Sequence, residues 1–177
     1  CQFARENKLP YFGICLGMQI AIIEFSRNVL KLKNANSTEF NINTNHPVIG
    51  LVTEWKDASG KIEHRSESSN LGGTMRLGGQ KCLIKKSSLS YKINKKITIT
   101  ERHRHRYEVN PDYKKDLIAE GMDIVGTSLD GNLAEMIEIK KHPWFLGCQF
   151  HPEFTSNPRD GHPIFNDFIA KAIKIKR

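Results

Sequence analysis

The sequence predicts a three-layer α/β domain, with helices on both faces of a mostly parallel sheet. A short apolar run, residues 11–14, leads through a cysteine between two glycines into an apolar segment of helical length, residues 16–25. A second apolar run, residues 144–150, is typical of another buried strand. Near the end of the chain, Pro163 opens a segment in which apolar residues recur at helical spacing. These observations indicate strands and helices packed around one core.

The remaining elements are predicted from less regular patterns along the chain. Residues 1–8 are typical of the second half of an amphipathic helix, so we expect the chain to be the C-terminal part of a longer protein. We further predict a polar loop at 34–40, a strand at 48–55, a glycine-punctuated strand at 71–79, a helix at 112–121, and strands at 123–127 and 132–139. A phosphate-binding loop is the alternative for the glycine-rich stretch, but the Lys-Ser/Thr of a P-loop is absent. Residues 45–110 are expected to add antiparallel hairpins.

The composition is that of a globular protein. The 177 residues can bury a sizeable core, and 38% hydrophobic with 26% charged residues fits a soluble domain. No apolar run approaches the roughly 20 residues of a membrane-spanning helix, and we expect no signal peptide. The four cysteines show neither disulfide-framework nor metal-site spacing, so we expect a cytoplasmic protein without a bound metal.

The positive charge raises the question of nucleic acid. The net charge is +8 and the isoelectric point is about 9.4. Most of the 27 basic residues, however, are lysines scattered along the chain, and a scattered excess forms no binding face. In residues 102–106, an alternating strand would place the three arginines on one side and the two histidines on the other. Such a row suits the carboxylate or phosphate of a small ligand, so we expect neither nucleic acid nor a membrane as a partner.

Cys15 is the candidate nucleophile. Strand, sharp turn and helix with a nucleophile at the turn is the arrangement of a nucleophile elbow, here with sulfur in place of oxygen. Gly13 and Gly17 suit this turn, because its backbone is strained and its flanks pack too closely for a Cβ. The start of the helix would favour the thiolate over the thiol. The alternative is an inert buried cysteine, which is the interpretation we favour for the other three cysteines.

His151 and Glu153 are the candidate base and its partner. Both follow the second apolar run, and residues two apart in an extended chain point to the same side. The carboxylate could then accept a hydrogen bond from one imidazole nitrogen while the other nitrogen faces a thiol. A surface His–Glu pair of no consequence is the alternative. Taken with the cysteine elbow, the pair gives the hypothesis of a Cys–His–Glu triad.

Several motifs carry a family resemblance. GICLGMQ at residues 13–19 and QFHPE at residues 149–153 together resemble the class I, triad-type glutamine amidotransferases. The inner motifs NANSTEF (34–40), LGGTMRLG (71–78) and RHRHRYEVN (102–110) resemble the CTP synthase family in its bacterial form. The resemblance covers essentially the whole chain. It implies a flavodoxin-like fold and the glutaminase part of a ligase of pyrimidine biosynthesis, which aminates UTP to CTP at the expense of ATP.

The resemblance also implies a role for each matching residue. Cys15 would attack the side-chain amide of L-glutamine, His151 would act as base and then as acid, and Glu153 would orient His151. The glutamine pocket would be lined by Leu16, Gly17, Met18 and Gln19, with the Leu16 N–H as an oxyanion donor. Glu39 would bind the α-ammonium group of the substrate and Arg106 its α-carboxylate. Arg65 and Arg76 would belong to a lid that responds to GTP, an allosteric activator.

We expect residues 1–177 to form only part of the domain. In the resembling family, a glycine-rich loop with a second oxyanion donor, the first strands of the sheet and the synthetase domain that uses MgATP and UTP all precede the elbow helix. The chain alone is therefore expected to bind no cofactor and to be weak or inactive, since one lost oxyanion donor costs roughly 100- to 1000-fold in rate. The family further implies a homo-oligomer, a tetramer.

Two other functions stay open on the sequence. The chain could be another triad amidotransferase, or a γ-glutamyl thiol hydrolase on the same fold that has no ammonia-using partner. It could also be a non-catalytic binding or regulatory module in which Cys15 is structural. Selective labelling of Cys15 by a glutamine mimic, dependent on His151, distinguishes the catalytic functions from the non-catalytic one.

Overall fold

A six-stranded mixed sheet runs through the centre of the protein. The structure is a computed structural model that describes residues 1–51, 54–56, 62–64 and 75–175, with side chains described in 1–51 and 75–175. The strands of the central sheet are β1 (Tyr11–Ile14), β6 (Arg76–Ile84), β7 (Thr98–His105), β9 (Met122–Ser128), β10 (Ala134–Ile139) and β11 (Phe145–Cys148). Their order across the sheet is β1-β11-β10-β9-β6-β7.

Two smaller sheets accompany the central one. The first consists of β2 (Asn36–Ser37), β3 (Pro47–Leu51) and β8 (Tyr107–Val109), in that order. The second is the antiparallel pair of β4 (Glu54–Lys56) and β5 (Ile62–His64). Only Arg106 separates β7 from β8, so the chain passes from the central sheet to the three-stranded sheet at that residue.

The helices cover both faces of the central sheet. They are α1 (Gln2–Glu6), α2 (Leu16–Asn28), α3 (Leu89–Asn94), α4 (Lys114–Ala119) and α5 (Pro163–Ile173), with short 3₁₀ turns at Pro111–Tyr113 and Pro152–Phe154. Ser88 and His162 cap α3 and α5, because each side chain accepts a hydrogen bond from a backbone N–H of the first turn. Among the described residues, no helix is both long enough and apolar enough to cross a bilayer.

Two apolar clusters form the core. The cluster on one face joins α2 and α4 to the sheet and contains the wholly buried Met18, Ile22 and Leu117. The cluster on the other face includes Trp144 and the start of α5, with partly buried residues of α3 packed against it. Burial of such side chains contributes about 1.5–3 kcal/mol each, so this packing holds the three layers together.

The predicted three-layer α/β class is confirmed, and the sheet within it is mixed rather than mostly parallel. Of the strand pairs described in the central sheet, β1–β11 is parallel and the other four are antiparallel. The reason is the length of the connections: the turns after β9 and β10 are hairpin loops, which reverse the chain, whereas a parallel pair needs a crossover. The predicted strand at 144–150 and the helix opened by Pro163 are present as β11 and α5.

The turn between β1 and α2 has the geometry of the predicted elbow. Cys15 has φ +49° and ψ −103°, a backbone conformation that side-chain-bearing residues rarely adopt. A Cβ on Gly13 would lie 2.6 Å from the backbone carbon of Gly17, which no real Cβ contact tolerates. Gly13 is therefore required because the first turn of α2 rests directly on β1.

We expect Gly13→Ala to destabilise the protein by about 1–3 kcal/mol or more, because the new methyl group meets backbone that cannot move aside. Urea unfolding followed by circular dichroism measures the change. Gly79→Ala is the matched control, since its Cβ would meet Thr100 at an ordinary 3.5 Å. An equal loss of stability in both variants would contradict the close approach at the elbow.

Candidate active site

The register of β1 and β11 brings the candidate nucleophile and base to one edge of the sheet. Ile14 pairs with Cys148, and the Cys15 N–H donates to the Cys148 carbonyl at 2.7 Å. Because the two strands are parallel neighbours, the residues that follow each of them leave the sheet at the same carboxyl edge. Cys15 and the segment leading to His151 consequently begin side by side.

Neutral hydrogen-bond donors face the Cys15 sulfur. The Gln149 side-chain Nε2 lies 3.6 Å from Sγ, and the Leu16 N–H at the start of α2 also faces the thiol. Burial nevertheless raises the pKa of Cys15, with Glu108 and Glu153 adding to the rise and the two donors opposing it. The Leu16 N–H at the helix start does favour the thiolate, as expected, but burial has the larger effect, so the pKa of Cys15 is raised and the thiol is the favoured form. A thiol in this state needs a base to become a nucleophile.

His151 and Glu153 form a close pair. His151 Nδ1 lies 2.6 Å from Glu153 Oε1, and the His151 N–H donates to the Arg102 carbonyl of β7 at 2.8 Å. The expectation that the two residues meet along an extended strand is wrong, because Pro152 begins a 3₁₀ turn that contains Glu153. Since the carboxylate takes Nδ1, the tautomer with Nδ1–H leaves Nε2 as the nitrogen that can accept a proton.

Comparison with known proteins identifies the family of the chain. The family model for glutamine amidotransferase class I matches residues 1–171. The chain belongs to the class I glutamine amidotransferase family. The predicted family is thereby confirmed.

Solved structures that are similar to this amidotransferase chain include two from other organisms. The glutaminase domain of Trypanosoma brucei CTP synthase (CTPS) with bound acivicin is 40% identical, with a TM-score of 0.86, and the match covers 99% of this chain and 64% of that one. The chain thus spans slightly less than two thirds of that relative. A putative GMP synthase subunit from Thermoplasma acidophilum is 16% identical, with a TM-score of 0.56 over 97% of this chain and 61% of that one, which shows a shared fold.

The residues predicted to line the glutamine pocket of this amidotransferase surround the elbow. The Leu16 side chain is about half exposed, the Gly17 carbonyl accepts a hydrogen bond from Tyr11 at 2.8 Å, and the Met18 side chain is buried in the core. Only the backbone of Met18 can therefore face a ligand. The buried Gln19 side chain instead bonds to Gln149 and to the Tyr107 carbonyl.

Glu39 and Arg106 lie in two segments that are joined by the three-stranded sheet. Glu39 is exposed just after β2, and Arg106 is partly buried just before β8. Both β2 and β8 pair with β3, and Gln19 contacts the Tyr107 carbonyl beside Arg106. The two predicted substrate-binding residues therefore lie in segments that are anchored together and tied to the elbow helix.

The alternation predicted for residues 102–106 is confirmed for residues 102–105 of β7, whereas Arg106 lies after the end of β7 and is partly buried. Arg102 and Arg104 are exposed, whereas His103 and His105 are buried. The buried side of the strand contributes to a cluster of charged groups that the sequence analysis did not predict. Its five members are Arg76, His103, His105, Glu108 and Glu135, and we call it the buried charge cluster.

Arg76 is an ion-pair residue of the buried charge cluster. Its Nη1 lies 2.7 Å from Glu135 Oε1 and 3.1 Å from Glu108 Oε1, and His105 Nε2 lies 2.7 Å from the same Glu108 oxygen. Arg76 was predicted as a lid residue, and in this structure its guanidinium binds the two carboxylates instead of projecting into solvent. Arg65, the other predicted lid residue, lies outside the described residues. The predicted response of both to GTP stays a prediction.

Burial shifts the protonation of the other cluster members. The His103 pKa falls to about 3, mainly through burial and then through repulsion by Arg76 and the neighbouring histidines. Burial raises the Glu135 pKa to about 7, although Arg76 opposes the rise. His103 is therefore neutral at physiological pH.

Among the described residues, no group of three or more His, Cys, Asp or Glu side chains is arranged to hold a metal ion.

We expect Arg76→Met to lower the free energy of unfolding by about 3–5 kcal/mol, because it leaves two buried carboxylates without their cation. Chemical denaturation without any nucleotide measures the loss. Lys85→Met is the control: its ion pair with Asp123 has a half-exposed lysine and is worth at most about 1 kcal/mol. A small loss in the Arg76 variant would mean that Arg76 is not part of the folded core.

His103 is expected to make the fold sensitive to acid. Below about pH 6.5 the unfolded chain binds a proton at this imidazole that the folded chain refuses down to about pH 3, so stability falls as pH falls. Glu135 acts with the opposite sign between about pH 7 and 4.5 and masks part of this loss. We expect His103→Gln to flatten the decline below pH 4.5 by up to about 1.4 kcal/mol per pH unit. Thermal unfolding at several pH values, compared between the two proteins, gives the difference, and parallel curves would contradict a neutral His103.

Proposed function

We propose that the chain is the glutaminase part of a CTP synthase, which hydrolyses L-glutamine and supplies ammonia for the amination of UTP to CTP. One observation carries the proposal: a strained, glycine-flanked cysteine directly follows β1, and the His151–Glu153 pair follows β11, the parallel strand that pairs with β1. The similarity to the trypanosomal CTPS glutaminase domain supports the choice among amidotransferases.

In the proposed reaction, Cys15 attacks the side-chain amide carbon of glutamine. His151 takes the thiol proton on Nε2 as the C–S bond forms, while Glu153 holds Nδ1–H and stabilises the imidazolium. The imidazolium then gives that proton to the departing amide nitrogen, so that ammonia leaves and a γ-glutamyl thioester remains. Water, deprotonated by the same imidazole, attacks the thioester and releases glutamate and the thiol.

The elements around the elbow would bind the rest of the substrate. The Leu16 N–H at the start of α2 can donate to the oxyanion that develops on the amide oxygen. Arg106 would bind the α-carboxylate, since a guanidinium fork matches a carboxylate, and Glu39 would bind the α-ammonium group. The support for this assignment is that both segments are anchored to β3 and that the Arg106 segment is also tied to Gln19 of α2.

The remaining assignments follow from the same similarity. In the full protein, ammonia would pass to a synthetase domain that uses MgATP to activate UTP, and GTP would act as the allosteric activator. A homotetramer in the cytoplasm is part of the proposal. A γ-glutamyl thiol hydrolase would use the same triad but would work without a synthetase domain.

Acivicin tests the proposal, because it is the compound bound in the similar trypanosomal domain. We expect acivicin to label Cys15 in the full-length protein, and glutamine to protect it. His151→Ala should slow labelling by on the order of 100-fold or more, the typical contribution of a general base. Mass spectrometry of the cysteine-containing peptides measures the rates.

The partly exposed Cys1 is an internal control, since it should react with a simple alkylating agent but not selectively with acivicin. Slow, uniform labelling of both cysteines, unaffected by His151→Ala, would favour the non-catalytic alternative. Labelling of Cys15 without glutamine-dependent CTP formation by the full-length protein would favour the hydrolase.

A further inference from the structure

Gln149 lies entirely inside the protein, directly behind the candidate nucleophile. Its side chain has no exposed surface, and its backbone N–H donates to the Glu135 carbonyl at 2.9 Å. This bond extends the pairing of β11 with β10 by one residue. The Gln149 carboxamide is therefore held by the sheet and lies between Gln19 on one side and the Cys15 sulfur on the other.

The hydrogen bonds determine which end of the Gln149 amide faces the sulfur. The Tyr107 carbonyl can only accept, so the Gln19 group 3.0 Å from it is the NH₂. The same NH₂ lies 3.2 Å from the Gln149 side chain and donates its other hydrogen there, which requires the Gln149 oxygen at that point. The Gln149 NH₂ consequently points at Sγ, at 3.6 Å. The series of hydrogen bonds from Tyr107 through Gln19 and Gln149 therefore places an N–H donor at the Cys15 sulfur.

A donor of this kind acts directly on the charge of the sulfur. A hydrogen bond to the charged form of a group favours that form, and the Gln149 contact lowers the Cys15 pKa against the larger effect of burial. The contact also fixes where the sulfur lies, because the Cys15 backbone is already held in a strained conformation. The same donor faces the sulfur when it attacks and when it leaves as thiolate from the thioester.

We propose that Gln149 is a positioning residue for Cys15: oriented by Gln19, it holds the sulfur in place and stabilises the thiolate when His151 removes its proton. The inference rests on the proposed glutaminase function for its catalytic meaning. The effect of Gln149 on the sulfur does not depend on that function, since the hydrogen bond exists without substrate.

The test is the pH dependence of Cys15 alkylation by iodoacetamide in the full-length protein, because only the thiolate reacts. Gln149→Met keeps the length of the side chain and removes the donor. We expect the inflection of the rate profile to move upward by about one pH unit, which is roughly a tenfold smaller thiolate population at a fixed pH. Gln149→Glu should move it further, because a carboxylate replaces the donor. With glutamine as substrate, Gln149→Met should lower kcat more than it changes KM.

Ser90→Ala is the matched control. Ser90 is equally buried, and its hydroxyl bonds to Glu138 at 2.6 Å, outside the network that reaches the sulfur. The control should lose stability without moving the inflection. If either Gln149 variant folds and its inflection equals that of wild type, the proposal is overturned, because a residue that merely fills the core would leave the pH profile unchanged.

The failure of this inference can be told from failure of the proposed function. In a His151→Ala background, the shift caused by Gln149→Met should persist, since the donor contacts the sulfur without the imidazole. Glutamine hydrolysis that depends on Cys15 and His151, together with an unshifted inflection, overturns the role of Gln149 alone. A shifted inflection in a protein without any glutaminase activity supports the hydrogen bond and overturns the proposed function.

Discussion

The parallel pairing of β1 with β11 is the constraint on which the candidate site depends. The register places Gly13 opposite Gly147, so two residues without side chains lie together beneath the start of α2. A Cβ on Gly147 would lie 2.8 Å from side-chain atoms of Met18 and Ile137, and one on Gly13 would meet Gly17. The helix can therefore lie directly on this strand pair. A slip of one residue would exchange the two faces of a strand and separate Cys15 from the segment that carries His151.

The buried charge cluster shapes the electrostatics beside this strand pair. Two carboxylates share one guanidinium, while burial and the positive charge of Arg76 keep His103 neutral. Glu108, bound by Arg76, still acts on Cys15 in the direction that disfavours the thiolate. Loss of Arg76 would leave its carboxylates buried without that cation, so the fold depends on the cluster, but the cluster does not activate the sulfur. Activation has to come from groups that touch Cys15 or take its proton.

Much of the site was predictable because the signals are local. The cysteine turn, the alternation along β7 and the Pro163 helix each depend on spacing within a few residues, and each is present. The prediction that Gly17 is needed for close packing is wrong, because a Cβ there would have its nearest neighbour, the Tyr11 hydroxyl, at 3.9 Å; of the two, only Gly13 is required. The mixed sheet and the partners of Arg76 depend on long-range contacts. Glu135 is 59 residues from Arg76 in sequence, and no local pattern pairs an arginine with one distant carboxylate rather than another. Gln149 was visible in its motif, but its contact with a sulfur 134 residues away was not.

Neutral donors around a buried thiol have a chemical consequence for the proposed reaction. A lysine or arginine at Sγ would hold a permanent thiolate, which reacts with any electrophile that reaches it. Amide donors from Gln149 and Leu16 stabilise the anion without forcing it to form, so the thiol persists while burial dominates. In the proposed reaction the negative charge would develop only when His151 accepted the proton, and the imidazolium would appear next to Glu153 at the same moment. Because the charges form as a pair, the site can stay uncharged and unreactive at the sulfur until glutamine is in place to be attacked.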